Sequence, residues 1–111
     1  MPAQEHEGTA IVYVTVADEA EALRLGKKAV EERLCACANI LPPITSIYEW
    51  KGEICESSER ILLMKTRQTQ VTKLIELIKQ LHSYECPCIV SWPLGESHEP
   101  FLAWVAQQTS D

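Results

Sequence analysis

"SIYEWKGEICESSERILLMKT", residues 46–66, decides how the chain folds. Lys51-Gly52 lies between two β-rich runs. Glycine accepts the positive φ that a two-residue hairpin turn needs, so Ser46–Trp50 rises and Glu53–Thr66 returns. Successive strand side chains alternate between faces. In the return strand Ile61 and Leu63 therefore point one way, Leu62 and Met64 the other. Both faces are apolar.

Upstream, "CACANIL" (35–41) extends the rising arm, with Pro42-Pro43 interrupting its pairing. "TAIVYVTV" (9–16) is β-branched and forms a first strand. Asp18 caps a helix that Glu21 completes as a capping box. That helix is expected to run to about Leu34 on an inner stripe of Leu23, Gly26, Val30 and Leu34, flanked by Ala22 and Ala29. Downstream, Val71, Leu74, Ile75, Ile78 and Leu81 recur at helical spacing from about Thr69. Pro87 bars that helix from continuing, and "CIVSW" (88–92) is a further strand. Ser97 is expected to cap a short last helix bearing Phe101, Trp104 and Val105.

The order βαββαβ plus a C-terminal helix predicts an α+β, ferredoxin-like sandwich with a long hairpin. Residues 1–8 are expected to be a flexible tail and residues 9–108 one domain. Right-handed crossovers place both main helices on one face of the sheet, which leaves the other apolar face uncovered. The hairpin is also too long for the helices. An unbroken strand over 35–50 spans about 50 Å, whereas a helix of that many residues spans about 24 Å. The overhang carries Ile47, Tyr48, Trp50 and Ile54. Exposed apolar groups on a long free edge call for a second subunit, and an obligate oligomer is expected.

The chain has 111 residues, 46% of them hydrophobic, and a formal charge of −6. Acidic charge disfavours nucleic acid and anionic membrane as partners. No apolar run reaches the roughly 20 residues that span a bilayer. The polar start is unlike a signal peptide, so a cytoplasmic location is expected. The five cysteines include two pairs at i, i+2. On a strand, such pairs point in parallel and bridge poorly, which predicts free thiols.

"RLCACANI", "SIYEWKGEI", "ILLMKTR", "LHSYECPCIV" and "FLAW" stand in an order and spacing that resembles the CutA family of divalent-cation-tolerance proteins. The resemblance covers roughly residues 10–105. It implies a tight homotrimer built like the PII signalling proteins, a link to tolerance of copper and other divalent metals, and copper binding, with no defined reaction. Cys37, Asn39, Tyr48, Trp50, Glu59, Lys65, His82, Tyr84 and Pro87 match the family pattern. Three positions depart from the family's bacterial copper site. Val14 stands where some members have cysteine, Leu81-His82 replaces a histidine pair, and Cys88 replaces an acidic residue.

His82, Cys86 and Cys88 offer one imidazole and two thiols within seven residues. Thiolate and imidazole suit copper(I) or zinc, but the spacing is C-x-C rather than the C-x₂-C of common zinc sites. The expectation is that Cys86 and Cys88 point into packed structure, while His82, at a helix end, reaches a subunit cleft as the metal ligand. Cys37, Cys86 and Cys88 are lesser candidates, Cys37 through the resemblance alone. Glu59 and Lys65 share a strand face. With Trp50 and Tyr84 they are expected to form a ligand cleft for a small anion or metal complex; an inter-subunit ion pair is the plainer reading. Ile47, Tyr48, Trp50 and Ile54 are expected at the trimer interface. The loop after the first strand, "VADEA", is acidic and lacks the arginine of phosphate-cleaving relatives of this fold. No nucleophile triad or HExxH is present, so no enzyme is expected. The competing function is a PII-like small-molecule sensor whose metal phenotype is indirect.

Overall fold

Alternation along β1 (Thr9–Val16) sorts the two faces of the sheet. Ala10, Val12, Val14 and Val16 are fully buried, whereas Ile11, Tyr13 and Thr15 are half-buried. The computed structural model describes residues 8–109. The elements after β1 are α1 (Glu19–Glu31), β2 (Cys37–Ile40), β3 (Ile44–Trp50), β4 (Glu53–Arg67), α2 (Val71–Leu81), β5 (Ile89–Pro93) and α3 (Glu99–Gln108). The expected tail falls, except for Gly8, outside the described residues.

The sheet order is β2-β4-β1-β5, with β3 also paired to β4 and every pairing antiparallel. Since β2 and β3 are one rising arm broken at Pro42-Pro43, this is the expected α+β, ferredoxin-like sandwich. Leu62 and Met64 of β4 enter the core beside Leu25, Leu74 and Ile78. Ile61, Leu63, Lys65 and Arg67 occupy the open face. There Arg67 Nε donates to Thr109 Oγ1 at 2.9 Å, tying down the end of α3.

The turn is as expected. Lys51 and Gly52 both have positive φ, 51° and 85°, the type I′ geometry that matches strand twist. The hairpin makes the molecule long, 53 × 26 × 22 Å. Its radius of gyration is 15.0 Å, against about 13 Å for a compact chain of this length. β1 leaves β4 at Val16 opposite Arg60. From there to the tip, that edge of β4 has no strand beside it among the described residues. Ile47 and Ile54 are 69% and 73% exposed on one hairpin face; Tyr48 and Trp50 stand on the other.

Four expectations are corrected. α1 buries Ala22, Leu25, Gly26 and Ala29, and leaves Leu23 and Val30 exposed. The small residues face the sheet because the helix approaches closely: a Cβ on Gly26 would lie 3.2 Å from Ala38 Cβ. The helix also stops at Glu31, where Arg33 turns left-handed (φ 60°). Cys35 therefore precedes β2 and enters the core, while Cys37 sits on the open face opposite Lys65; the two thiols share no face. Finally, Ser97 does not cap α3. Its hydroxyl donates to Gly95 O at 2.9 Å, and the helix starts after His98 with Pro100 in its first turn.

Candidate functional site

The segment after α2 is fastened before it reaches the hairpin. His82 leaves helical geometry (φ −72°, ψ 145°) and its ring folds back onto the end of β1. Nδ1 accepts the Tyr84 N–H at 3.0 Å, so this nitrogen carries no proton. Nε2 is then the protonated nitrogen, and it donates to Thr15 O at 2.8 Å. The side chain is fully buried.

Glu21, one turn into α1, fixes the other side of this segment. Its carboxylate accepts the Ser83 N–H at 2.7 Å, the Ser83 hydroxyl at 3.0 Å and the Ala17 N–H at 3.1 Å. Glu21 Oε2 also lies 3.6 Å from His82 Nδ1, but an unprotonated nitrogen makes no ion pair there. Burial works against ionisation of Glu21. The Ala17 and Ser83 N–H groups and the Ser83 hydroxyl outweigh it, and hold the carboxyl below its usual range.

So pinned, the chain delivers Tyr84 over the base of the hairpin, where its phenol donates to Glu59 Oε2 at 2.6 Å. Burial comes first among the causes that push this phenol well above its ordinary pKa, followed by the bond to Glu59 and the charge of nearby Glu59 and Glu21. Tyr48 Oη and Ser57 Oγ are hydrogen-bonded at 2.7 Å one step further along the hairpin.

These residues enclose a cleft of about 580 Å³ on the open side of the sheet. Thr15, Tyr48, Trp50, Ser57, Glu59, Tyr84, Glu85, Cys86 and Cys88 line it. Two carboxylates, two thiols and three aromatic rings thus share one concavity, and no Lys, Arg or His side chain is among its lining.

The structure gathers three of the four residues expected in a ligand cleft: Trp50, Glu59 and Tyr84. Lys65 is not among them. It lies six residues along β4, about 20 Å away at strand rise, and its ammonium bonds Asn39 Oδ1 instead. A cleft without that cation does not suit the small anion considered for it. His82 is also displaced from its expected role, because both ring nitrogens already have backbone partners and the side chain has no solvent access. Cys86 and Cys88 reverse their expectation too: both are exposed and both face the cleft. Cys37 is half-buried and apart from it. Glu85 and Ser57 were missed. Ser57 was legible, since it shares its strand face with Glu59.

The model of the CutA1 divalent ion tolerance protein family matches residues 10–108. The chain belongs to this CutA1 family. It is 44% identical over 99 residues to the divalent-cation tolerance protein CutA of Thermus thermophilus, a match that covers 89% of this chain and 96% of that one. It is 41% identical over 97 residues to mouse protein CutA, covering 87% of this chain but only 55% of the mouse protein. The chain thus spans about half the length of that CutA relative. A structure described as the periplasmic divalent cation tolerance protein CutA of Archaeoglobus fulgidus superposes with a TM-score of 0.89 at 32% identity, covering 92% of this chain and 99% of that one.

The CutA family description raises the question of a metal ion. Among the described residues, no three His, Cys, Asp or Glu side chains converge as a metal site. One Glu59 oxygen is engaged by Tyr84, and His82 is turned away. The donors of a single chain do not fit a divalent ion with its usual four to eight ligands.

Proposed function

We propose that this chain acts in divalent-cation tolerance, including tolerance of copper, as a homotrimer that holds a metal ion or a metal-linked small ligand where subunits meet. The composition of the cleft carries this reading. Glu59, Glu85, Cys86 and Cys88 line it with no basic side chain, so its electrostatics favour a cation. A neighbouring copy supplies the donors that one chain lacks. Exposed Ile47, Tyr48, Trp50 and Ile54 and the unpaired stretch of the β4 edge support the assembly, since apolar groups beside a free edge are stable only when covered. The function is binding rather than catalysis, in keeping with a His82 that has no free nitrogen to act as a base. Five free thiols support a reducing, cytoplasmic location.

The test is sedimentation combined with calorimetric titration of copper(II) and zinc(II) into the reduced protein. A trimer is expected, with metal affinity that falls in Glu59→Gln and Glu85→Gln. A monomer at micromolar concentration, or affinity unchanged in both variants, refutes the reading.

A second reading, a PII-like sensor of a small molecule, is favoured by one feature. The cleft has the size of a small-molecule site, and Tyr48, Trp50 and Tyr84 give it aromatic walls. Recovery of a tightly bound organic molecule from the purified trimer, with no metal affinity, would favour that reading over the first.

A further inference from the structure

Glu59 carries a charge that nothing in the chain balances. The residue is 8% exposed. The Tyr84 phenol bonds its Oε2, and among the described residues no Lys, Arg or His pairs with either oxygen. A buried carboxylate without a counter-charge is costly, so a cation beside it is stabilising. Glu85 adds a second carboxylate to the same lining.

The rest of the cleft is largely aromatic. Tyr84 is held at three points. Its N–H donates to His82 Nδ1, its ring centroid stands 4.7 Å from that of the His82 ring, and its phenol holds Glu59. Tyr48 and Trp50 are two residues apart on β3, so their side chains share a face about 7 Å apart. Tyr48 leans toward Glu59, since its hydroxyl meets Ser57, two residues away from Glu59 on β4. The cleft thus has its buried charge at the hairpin base and two rings running from there toward the tip. Its volume of about 580 Å³ is that of a small-molecule site.

An anion would be repelled by both carboxylates, and a neutral molecule would leave Glu59 without a counter-charge. An alkylated ammonium ion meets both demands. Its charge is spread over alkyl groups, it is attracted to aromatic rings as well as to a carboxylate, and it brings apolar surface to cover them.

We infer that this cleft is a site for an organic ammonium ion, with the alkylated nitrogen held between Glu59 and the Tyr84 ring and the apolar body lying along Tyr48 and Trp50. The inference rests on reading the cleft as a cation site, and it gives the small-molecule reading its ligand class. No bond is made or broken on binding.

Phenyltrimethylammonium is the probe, and tert-butylbenzene is its neutral carbon isostere. Each is titrated into the full chain in buffer containing a chelator, so that no metal takes part. Saturable binding of the ammonium ion is expected, roughly three- to thirty-fold tighter than that of the isostere. Trp50→Leu, which keeps apolar bulk but removes the ring, should weaken it by a similar factor. Glu59→Gln should weaken the ammonium ion and leave the isostere unchanged. In the unmodified protein, nuclear Overhauser contacts should join the N-methyl protons to the rings of Tyr84 and Trp50. This arm decides the matter if the variants fail to fold. Equal binding of the isostere, or contacts to Trp92 or Trp104 instead, overturns the inference. Copper(II) and zinc(II) affinity without binding of the ammonium ion refutes the inference alone. Ammonium binding that behaves as expected, with no metal affinity, supports the inference and refutes the metal reading alone.

Discussion

The Tyr84 phenol donates to Glu59 Oε2 across 2.6 Å, joining residues 25 apart in the chain. One belongs to the segment after α2, the other to the base of the hairpin. Their bond ties the two walls of the cleft together. The raised pKa of Tyr84 keeps its proton on the phenol throughout the physiological range, so Tyr84 is a permanent donor there.

Tyr84→Phe removes this bond while keeping the ring. A hydrogen bond to a charged acceptor contributes roughly 1.5–3 kcal/mol, so a loss of about that size is expected in chemical denaturation. The denaturant slope should be unchanged, since the ring packing is retained. Stability equal to that of the parent protein would show that the bond contributes nothing.

Glu21 makes stability depend on acid. Its folded pKa lies below the unfolded value of about 4.3, so the stabilisation is complete above that value. It is lost as pH falls through the folded pKa. Glu21→Gln should cost roughly 1–3 kcal/mol at neutral pH, because Gln cannot satisfy both the Ala17 and the Ser83 donors as well. The gap between parent and variant should narrow below about pH 4. A gap that stays constant down to pH 2 would rule this account out.

Gly26 sets how closely α1 sits on the sheet. Helix propensity alone favours replacing it, by about 1 kcal/mol for alanine. The added Cβ would stand 3.2 Å from Ala38 Cβ and 3.4 Å from Leu62 Cδ1. Leu62 can rotate, but Ala38 is held by β2 pairing. Gly26→Val adds two methyl groups more and should destabilise by roughly 1–3 kcal/mol, read as a lowered thermal midpoint. A variant at least as stable as the parent would mean that β2 yields easily.

The fold was legible where period and turn chemistry agree. Alternation along β1, the Lys51-Gly52 turn and the Val71–Leu81 stripe each had one reading. The α1 stripe was right at Gly26, Ala22 and Ala29, but Leu23 and Val30 were drawn into it by apolarity, and Leu25, the large side chain that α1 does bury, was left out. In the site, Trp50, Glu59 and Tyr84 were found, but Lys65 was drawn in by strand parity, which fixes the face and not the distance along it. His82 was misplaced because its partners, Thr15 O and the Tyr84 N–H, are backbone atoms that no side-chain pattern announces. Cys86 and Cys88 were assigned to the core because their C-x-C spacing does not suit a common metal site and they open onto a strand, whereas the Glu21 anchor holds their segment at the surface.

Thiol reactivity should follow burial. In the native protein Cys86 and Cys88 should react first with a disulfide reagent, and Cys35 last, since a pKa of about 12 leaves almost no thiolate at neutral pH. Denatured without reductant, all five cysteines should react. A count well below five would reveal a disulfide and contradict the free-thiol assignment.

The hairpin offers the most direct test of the proposed trimer. Ile47 pairs with Glu56 and Glu49 with Ile54, so the two isoleucines are diagonal neighbours on one hairpin face. Both are largely exposed, at 69% and 73%, and together form an apolar patch on that face. Covering an isoleucine contributes roughly 1.5–3 kcal/mol, and threefold assembly repeats that gain in every subunit. Aspartate at either position forfeits the gain and places a carboxylate beside Glu56 or Glu49 in a dry contact. Ile47→Asp and Ile54→Asp should therefore each shift the protein toward monomer in sedimentation at micromolar concentration. Their far-UV spectra should remain native, because neither side chain touches the core formed by β1, β4 and the helices. Undiminished assembly in both variants would place the subunit interface elsewhere, and would remove the hairpin's support for a cleft completed by a neighbouring copy.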